Sequence, residues 1–162
     1  MINTGSGVAP DPAQEPGMDQ QTLFDDSEAW RIEGECVKLI NRFAHFIDNR
    51  RYDELLGLMT SDCIIEWPGN RMRGVELVEM LKESPEDMAS MHVITVPLFG
   101  SVTRDEADCI SYLTFYQAPM SEDGVGILAG ATVLAEYHDK FRRSEAGWRI
   151  SGRVVKPKMA RA

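Results

Sequence analysis

Asp48 is the first residue whose position in the sequence suggests chemistry. Residues 44–56 read AHFIDNRRYDELL, and Asp48 follows Ile40 by eight residues and Ala44 by four. Residues spaced by four share one face of a helix, so the carboxylate falls on the apolar stripe that should face the core. The sequence leaves two roles open: a functional carboxylate inside the fold, or a cap for a second helix that begins at Tyr52.

The elements that must position this residue change from helical to strand periodicity along the chain. Three segments with recurring apolar side chains predict helices: residues 27–47, 52–59 and 75–83. Five segments rich in β-branched and aromatic residues predict strands: 63–68, 91–102, 107–118, 126–143 and 147–156. Helices followed by antiparallel strands predict an α+β fold, here a cone-shaped barrel of three N-terminal helices packed on a strongly curved, mostly antiparallel sheet.

The domain boundaries follow from composition. Residues 1–22 are rich in Gly, Pro, Gln and Asp, which is typical of a disordered leader. Residues 23–157 carry all the predicted elements and form the domain, and residues 158–162 are a short tail. A domain of this size can bury a hydrophobic core without disulfides or metals.

Charge and cysteine content exclude several classes of function. The chain has 26 acidic and 17 basic residues, a formal net charge of −9, which argues against nucleic-acid binding. Its three cysteines, Cys36, Cys63 and Cys109, lack metal-ligand spacing, and their odd number fits a reducing compartment, the cytoplasm. Cys63 and Cys109 lie in apolar strand-like segments and are expected to pack in the core. No nucleotide-binding motif, secretory signal or spanning apolar run is present, so no cofactor, metal or membrane is expected.

Several local phrases carry a resemblance to a known family. They are FAHFIDNRRYDELLGLMTSDCIIE, RGVELVEML, MHVITVP and EYHDKFRRSEAGWRISGRVV, and the resemblance that they carry covers about residues 27–156. With the order of elements, they resemble the SnoaL-like branch of the nuclear transport factor 2-like superfamily. This branch includes scytalone dehydratases, hexachlorocyclohexane dehydrochlorinases, bile acid dehydratases and polyketide cyclases, and also proteins without catalysis, so the fold alone does not fix a function.

The resemblance implies a pair of functional residues. In the dehydratase and dehydrochlorinase members, an Asp at the end of the first helix partners a His on a later strand, and these positions match Asp48 and His92. A neutral imidazole accepts protons near pH 7, and a carboxylate on its far nitrogen fixes the tautomer and stabilises the imidazolium. His92 would then be a general base oriented by Asp48. The structural alternative is a histidine that packs in the core.

Other candidate pocket residues are aromatic. The bile acid dehydratases carry a Tyr five residues before the Asp, and this chain has Phe43 there. Tyr112, Tyr116 or Tyr137 are candidates to replace it from the sheet, and strand register decides which of them faces inward. Tyr137 is favoured because it shares the predicted core face of its strand, although core packing is an alternative for each.

Three further residues complete the candidate site. Trp30 and Trp67 are expected to cover the mouth of the cavity, with a core position as the alternative for Trp67. Arg153, in the closing GWRISGR phrase, either stabilises an oxyanion or a leaving halide or pairs with an acidic residue. Phe43, Tyr112 and Tyr137 join these three as predicted substrate-binding residues.

The sequence therefore predicts a cofactor-independent lyase or isomerase, of a dehydratase-like or cyclase-like kind. Its His92–Asp48 pair would abstract a proton from a hydrophobic cyclic small molecule. The alternative is a non-catalytic module of the same fold that binds a small molecule or serves in oligomerisation. A homodimer or homotrimer is expected in either case, because the resemblance implies assembly through the exposed face of the sheet.

Overall fold

Three helices precede most of the sheet in the computed structural model, which describes residues 25–161. They are α1 (Asp26–Asp48), α2 (Tyr52–Gly57) and α3 (Gly74–Lys82). The predicted leader, residues 1–22, lies outside the described residues. Helix α1 begins where the Asp25 carboxylate accepts a hydrogen bond from the backbone N–H of Glu28, at 2.8 Å, which satisfies a free donor of the first turn. It ends at Asp48, Asn49 is its C-cap, and Arg50 follows with a positive φ of 56°.

Seven strands form one curved sheet. They are β1 (Met59–Trp67), β2 (Asn70–Arg73), β3 (Met88–Ile94), β4 (Leu98–Val102), β5 (Glu106–Pro119), β6 (Val133–Ser144) and β7 (Gly147–Ala160). The strand order is β2-β1-β7-β6-β5-β3, and β4 also pairs with β5. All pairs are antiparallel except β1 with β7. The predicted α+β fold, with helices on a curved and mostly antiparallel sheet, is confirmed.

Several strand boundaries differ from the sequence prediction, including the starts of β1 and β3, which lie earlier than predicted. The hairpin strand β2 was not predicted, and the segment 91–102 is two strands, because Pro97 lies between β3 and β4 and has no N–H for a ladder. Residues 126–132 are irregular, with Gly130 at a positive φ of 102°, so β6 begins only at Val133. The last strand continues to Ala160, three residues beyond the predicted end of the domain at residue 157.

The core fills one end of the concave face. Helix α1 contributes a stripe of buried residues, among them Ile32, Cys36, Ile40 and Phe43, which pack against the sheet. Cys36, Cys63 and Cys109 are all buried free thiols, so the predicted packing role of Cys63 and Cys109 agrees with the structure. A smaller cluster of Leu113, Ala135 and Tyr137 lies toward the other end of the same face. The large core holds α1 on the sheet, and this fixes where the C-terminal end of α1 meets β3.

Candidate functional site

Asp48 and His92 are in direct contact where α1 ends against β3. The Asp48 Oδ1 atom lies 2.6 Å from Nδ1 of His92, and Oδ2 accepts the backbone N–H of His92 at 2.8 Å. The hydroxyl of Ser90 donates a third hydrogen bond to Oδ1, at 3.0 Å. Three donors thus converge on one carboxylate, and all of them come from β3.

The local sequence explains this convergence. The helical period places Asp48 on the inner face of α1, in line with Ile40 and Ala44, which are buried. Strand β3 pairs only with β5 and is an edge of the sheet, so the backbone N–H of His92 needs another acceptor, which Asp48 provides. Alternation along β3 turns Ser90 and His92 toward the helix. The carboxylate therefore accepts a backbone hydrogen bond from this edge strand and also orients the imidazole.

The bond to Asp48 also assigns the tautomer of His92. A carboxylate is only an acceptor, so Nδ1 carries a proton, and in the neutral imidazole Nε2 is the nitrogen with the lone pair. Both side chains are largely shielded from solvent, with exposed fractions of 10% for His92 and 15% for Asp48. The imidazole also packs on the ring of Phe115, with centroids 4.6 Å apart. An oriented imidazole with one free nitrogen is suited to accept a proton.

Both residues line a cavity of about 440 Å³ between the helices and the concave face of the sheet. Most of its wall is aromatic, aliphatic or thioether, including Trp67, Met88, Phe115 and Tyr137. The polar groups in the wall include the Asp48–His92 pair together with Arg50, Ser84, Ser90 and Gln117. An apolar hollow with few polar groups is the usual form of a small-molecule site.

Two of the predicted substrate-binding residues line this cavity, and two lie far from it. Trp67 and Tyr137 are in the wall. Trp30 is 77% exposed near the start of α1, so its predicted place at the cavity mouth is wrong. Tyr112 is 62% exposed on the convex face, where it pairs across the strands with Glu136. Its predicted pocket position is wrong as well, because the register of β5 turns Ser111 and Leu113 inward instead.

Phe43 and Arg153 are buried in the core and do not line the cavity. The Arg153 guanidinium is held between the rings of Phe43 and Tyr137, at 4.1 and 3.9 Å from their centroids. Its Nε and Nη2 atoms donate to Asp139 at 2.6 and 2.8 Å. The alternative of pairing with an acidic residue is therefore the one the structure shows for Arg153. Its position in the core, rather than in the cavity wall, corrects the prediction of substrate contact for this residue and for Phe43.

Asp139 and Ser90 are residues that sequence reasoning missed. Both lie two positions from a residue that was identified: Asp139 follows Tyr137 on β6, and Ser90 precedes His92 on β3. Alternate residues of a strand share a face, so this spacing was the available signal.

Burial alone would lower the pKa of Arg153, but the charge and hydrogen bonds of Asp139 raise it above its ordinary value.

A second histidine–carboxylate pair lies outside the cavity. His138 Nε2 is 2.9 Å from Glu136 Oε2, and Lys158 binds the other oxygen of Glu136. These side chains are on the convex face of β6 and β7, away from the Asp48–His92 pair.

Within residues 25–161, no three His, Cys, Asp or Glu side chains are grouped as a metal site would require. The helices in that range are all too short or too polar to cross a membrane.

Several solved structures are similar to this chain. Hexachlorocyclohexane dehydrochlorinase LinA-type3 from Novosphingobium barchaimii has a TM-score of 0.69 at 16% identity, over 85% of this chain and 93% of that one. A protein provisionally assigned as a scytalone dehydratase, from Novosphingobium aromaticivorans, has a TM-score of 0.67 at 14% identity, over 83% and 90%. The Kfla4162 protein of Kribbella flavida has a TM-score of 0.70 at 19% identity, over 82% and 95%.

At these identities the similarities establish the fold alone. Among curated proteins, none matches this sequence. The family comparison is more direct, because residues 28–154 match the SnoaL-like domain. This span includes α2, α3, all of α1 except its first two residues, and both members of the Asp48–His92 pair. The chain therefore belongs to the SnoaL-like domain family, within the nuclear transport factor 2-like superfamily.

Proposed function

We propose that this protein is a cofactor-independent lyase or isomerase acting on a hydrophobic cyclic small molecule. The observation that carries the proposal is the 2.6 Å contact between Asp48 and His92 in the wall of one largely apolar cavity. His92 is the general base, and Asp48 orients it and stabilises the imidazolium that forms. Dehydratase and dehydrochlorinase folds among the similar structures support this class of reaction.

The proposed reaction begins with Nε2 of His92. This atom takes a proton from a carbon of the bound ring, so a C–H bond breaks and an N–H bond forms. In an elimination, the released electron pair forms a C=C bond while a neighbouring group leaves with its own bonding pair. In an isomerisation, the proton returns to another carbon. The apolar wall excludes water from the charged intermediate state.

A variant series tests the base assignment. Wild-type protein is screened against hexachlorocyclohexane isomers, followed by chloride release, and against cyclic ketones, followed by deuterium uptake from D₂O. His92→Gln should lower turnover by about 10²- to 10⁴-fold, the usual contribution of a general base. Asp48→Asn should also lower turnover, because an amide cannot accept from all three donors of β3.

His138→Gln is the matched control for this series. It removes the other imidazole that contacts a carboxylate, and that imidazole lies outside the cavity. Turnover should be unchanged within about twofold, since surface substitutions away from the site are usually near neutral. Full activity of the His92→Gln variant on a compound that the wild type converts would refute the base assignment. Saturable binding without turnover would support the non-catalytic alternative.

We also propose that the convex face of the sheet binds a second copy of this chain. Large apolar side chains from four strands are exposed there: Met91, Val93, Tyr112, Leu134 and Met159. The strand registers make these residues neighbours, since Thr114 pairs with both Val93 and Leu134, and Leu134 pairs with Met159. Continuous exposed apolar surface of this kind is typical of an association site.

A further inference from the structure

Arg50 is a charged residue in the wall of the mostly apolar cavity, and the proposed reaction does not use it. Among the described residues of the wall, it is the only lysine or arginine. Its guanidinium donates to the backbone carbonyls of Ser84, at 3.1 Å, and of Pro85, and both of these residues line the same cavity. The two bonds hold the charged end of a long side chain in one place beside the cavity.

No carboxylate pairs with this guanidinium in the part of the chain that the structure describes. The neighbouring Arg51 shows the usual arrangement, since its guanidinium binds the Glu54 carboxylate at 2.8 Å. A neutral carbonyl oxygen accepts a hydrogen bond but does not balance the charge of an arginine. Asp48 does not balance it either, because that carboxylate accepts its hydrogen bonds from Ser90 and His92 on β3. An arginine that the described residues leave without an anion therefore lines the cavity, although the net charge of the chain is −9.

The remaining donors of Arg50 suit a carboxylate. A guanidinium carries more N–H groups than two hydrogen bonds occupy, and its planar fork matches the two oxygens of a carboxylate. Such charge-assisted pairs are about twice as strong as hydrogen bonds between neutral groups. Asp48 and Arg50 are two positions apart in the sequence, so their Cα atoms are separated by at most about 7 Å. A compound of one or two rings can therefore reach the His92 imidazole and the Arg50 guanidinium together.

We propose that Arg50 determines substrate specificity by binding a carboxylate that the hydrophobic cyclic substrate carries. This proposal rests on the proposed function only in taking the same cavity as the ligand site. The ring lies against the apolar wall, with its reacting carbon at His92 and its carboxylate at Arg50. Arg50 does not contact the reacting atoms, so it acts on binding and orientation and not on the proton transfer. The substrate is thereby narrowed to a cyclic carboxylic acid, bound as its anion.

The backbone at Arg50 supports a role for its side chain. Its φ of 56° is left-handed, and Gly would adopt this conformation without strain. Residues other than Gly that are held in this conformation cluster at ligand sites and active sites. The two carbonyl bonds give the side chain a structural role as well, so a test must measure anion recognition separately from stability.

A matched pair of probes tests the proposal: 2-naphthoate, an apolar bicyclic carboxylate, and 2-naphthamide, which has nearly the same shape without the charge. Binding is measured by calorimetry at neutral pH and physiological salt. Wild type should bind 2-naphthoate more tightly than 2-naphthamide. Arg50→Gln should lower the affinity for 2-naphthoate by about tenfold or more and leave that for 2-naphthamide within about twofold. Arg50→Lys keeps the charge but loses the planar fork, so its affinity for 2-naphthoate should lie between those of wild type and Arg50→Gln.

Arg51→Gln is the matched control, because it removes the adjacent charge from a side chain outside the cavity wall. It should change neither affinity by more than about twofold, since salt screens exposed charges. A purely structural role of Arg50 predicts that Arg50→Gln weakens the binding of both probes equally, and that result would overturn the proposal. A wild-type protein that binds neither probe, or that does not prefer the carboxylate, would overturn it as well.

The same binding measurement on His92→Gln separates this proposal from the proposed function. If His92 is not the base, this variant will keep full turnover in the substrate screen, while the preference for 2-naphthoate is still measured without any turnover. A His92→Gln variant that loses the preference would show that the imidazole, and not Arg50, holds the carboxylate, which would refute the role of Arg50. Either idea can therefore fail alone.

Discussion

At the scale of single residues, Asp48 has two roles that a substitution would remove together. Its Oδ2 atom binds the backbone N–H of His92 and completes the edge strand β3, while Oδ1 binds the imidazole and Ser90. The helix-capping alternative is not seen, because α2 has no side-chain cap. The charge on the apolar stripe of α1 is therefore explained by its partners on β3. The hydroxyl of Ser90 donates to this carboxylate and so helps to fix its position.

Arg153 and Asp139 form a buried ion pair behind Tyr137, a residue of the cavity wall. Arg153→Met should lower the free energy of unfolding by about 3–5 kcal/mol, because it leaves the Asp139 carboxylate buried without a counterion. The exposed pair of Arg142 and Asp62 provides the control. Arg142→Met should cost much less, because an ion pair exposed to water contributes little to stability. Urea denaturation measures both, and equal losses for the two variants would contradict this account.

At the scale of elements, the junction between α1 and α2 is hydrogen-bonded to the segment after α3, where both line the cavity. Arg50 lies in this junction, and its guanidinium donates to the carbonyls of Ser84, at 3.1 Å, and of Pro85. These bonds link the end of α1 to the connection between α3 and β3. Strand β3 carries Ser90 and His92. Arg50 has a φ of 56°. This left-handed conformation is energetically unfavourable for residues other than Gly.

A pair of substitutions at Arg50 separates the strained backbone from the side-chain bonds. Arg50→Ala and Arg50→Gly both remove the guanidinium, but only Gly adopts the left-handed conformation freely. The Gly variant should therefore be more stable than the Ala variant by about 0.5–1 kcal/mol, after the greater chain entropy of Gly is subtracted. Chemical denaturation of the two variants gives this difference. An Ala variant as stable as the Gly variant would exclude the strain.

At the scale of the whole molecule, buried groups that must stay neutral set the stability at high pH. Burial raises the pKa of Cys36 and of Cys63 to about 12, from an ordinary value of 9.0, and raises that of Cys109 further. The unfolded chain ionises these thiols first and so binds fewer protons than the folded chain. Their contribution is complete below pH 9.0 and is lost as the pH rises toward the folded values.

The free energy of unfolding should consequently fall between pH 9 and pH 11, by up to about 1.4 kcal/mol per pH unit for each thiol. Urea midpoints across this range measure the slope. Cys36→Ala should give a shallower slope than the wild type, whatever its effect on stability at neutral pH, because one titrating group is gone. A slope that the Cys36→Ala substitution leaves unchanged would show that this thiol does not contribute.

The convex face gives the second prediction at this scale. Leu134→Glu places a charge in the middle of the apolar surface and should dissociate a dimer into monomers, since an unpaired charge at an interface is strongly unfavourable. Leu56→Glu, on the exposed side of α2, is the control and should leave the assembly intact. Light scattering after gel filtration gives the mass at several concentrations. A wild-type protein that is monomeric throughout would refute the proposed interface.

Local patterns in the sequence were enough for the α+β architecture and for part of the site. The helical period placed Asp48 on the inner face of α1, because that period depends only on neighbouring residues. The family resemblance then paired Asp48 with His92, which lies 44 residues further along the chain. The alternation of β6 likewise put Tyr137 on the inner face.

Only the tertiary structure decided the rest, because it depends on register and on long-range packing. A shift of one residue reverses the face of a strand side chain, so the sequence could not tell that Tyr112 lies outside the cavity. Arg153 faces Asp139 only because β6 and β7 pair in one particular register. The hydrogen bond from Ser90 to Asp48 likewise depends on how α1 packs against β3. Local periodicity thus determined which residues could face inward, and strand pairing determined which of them meet.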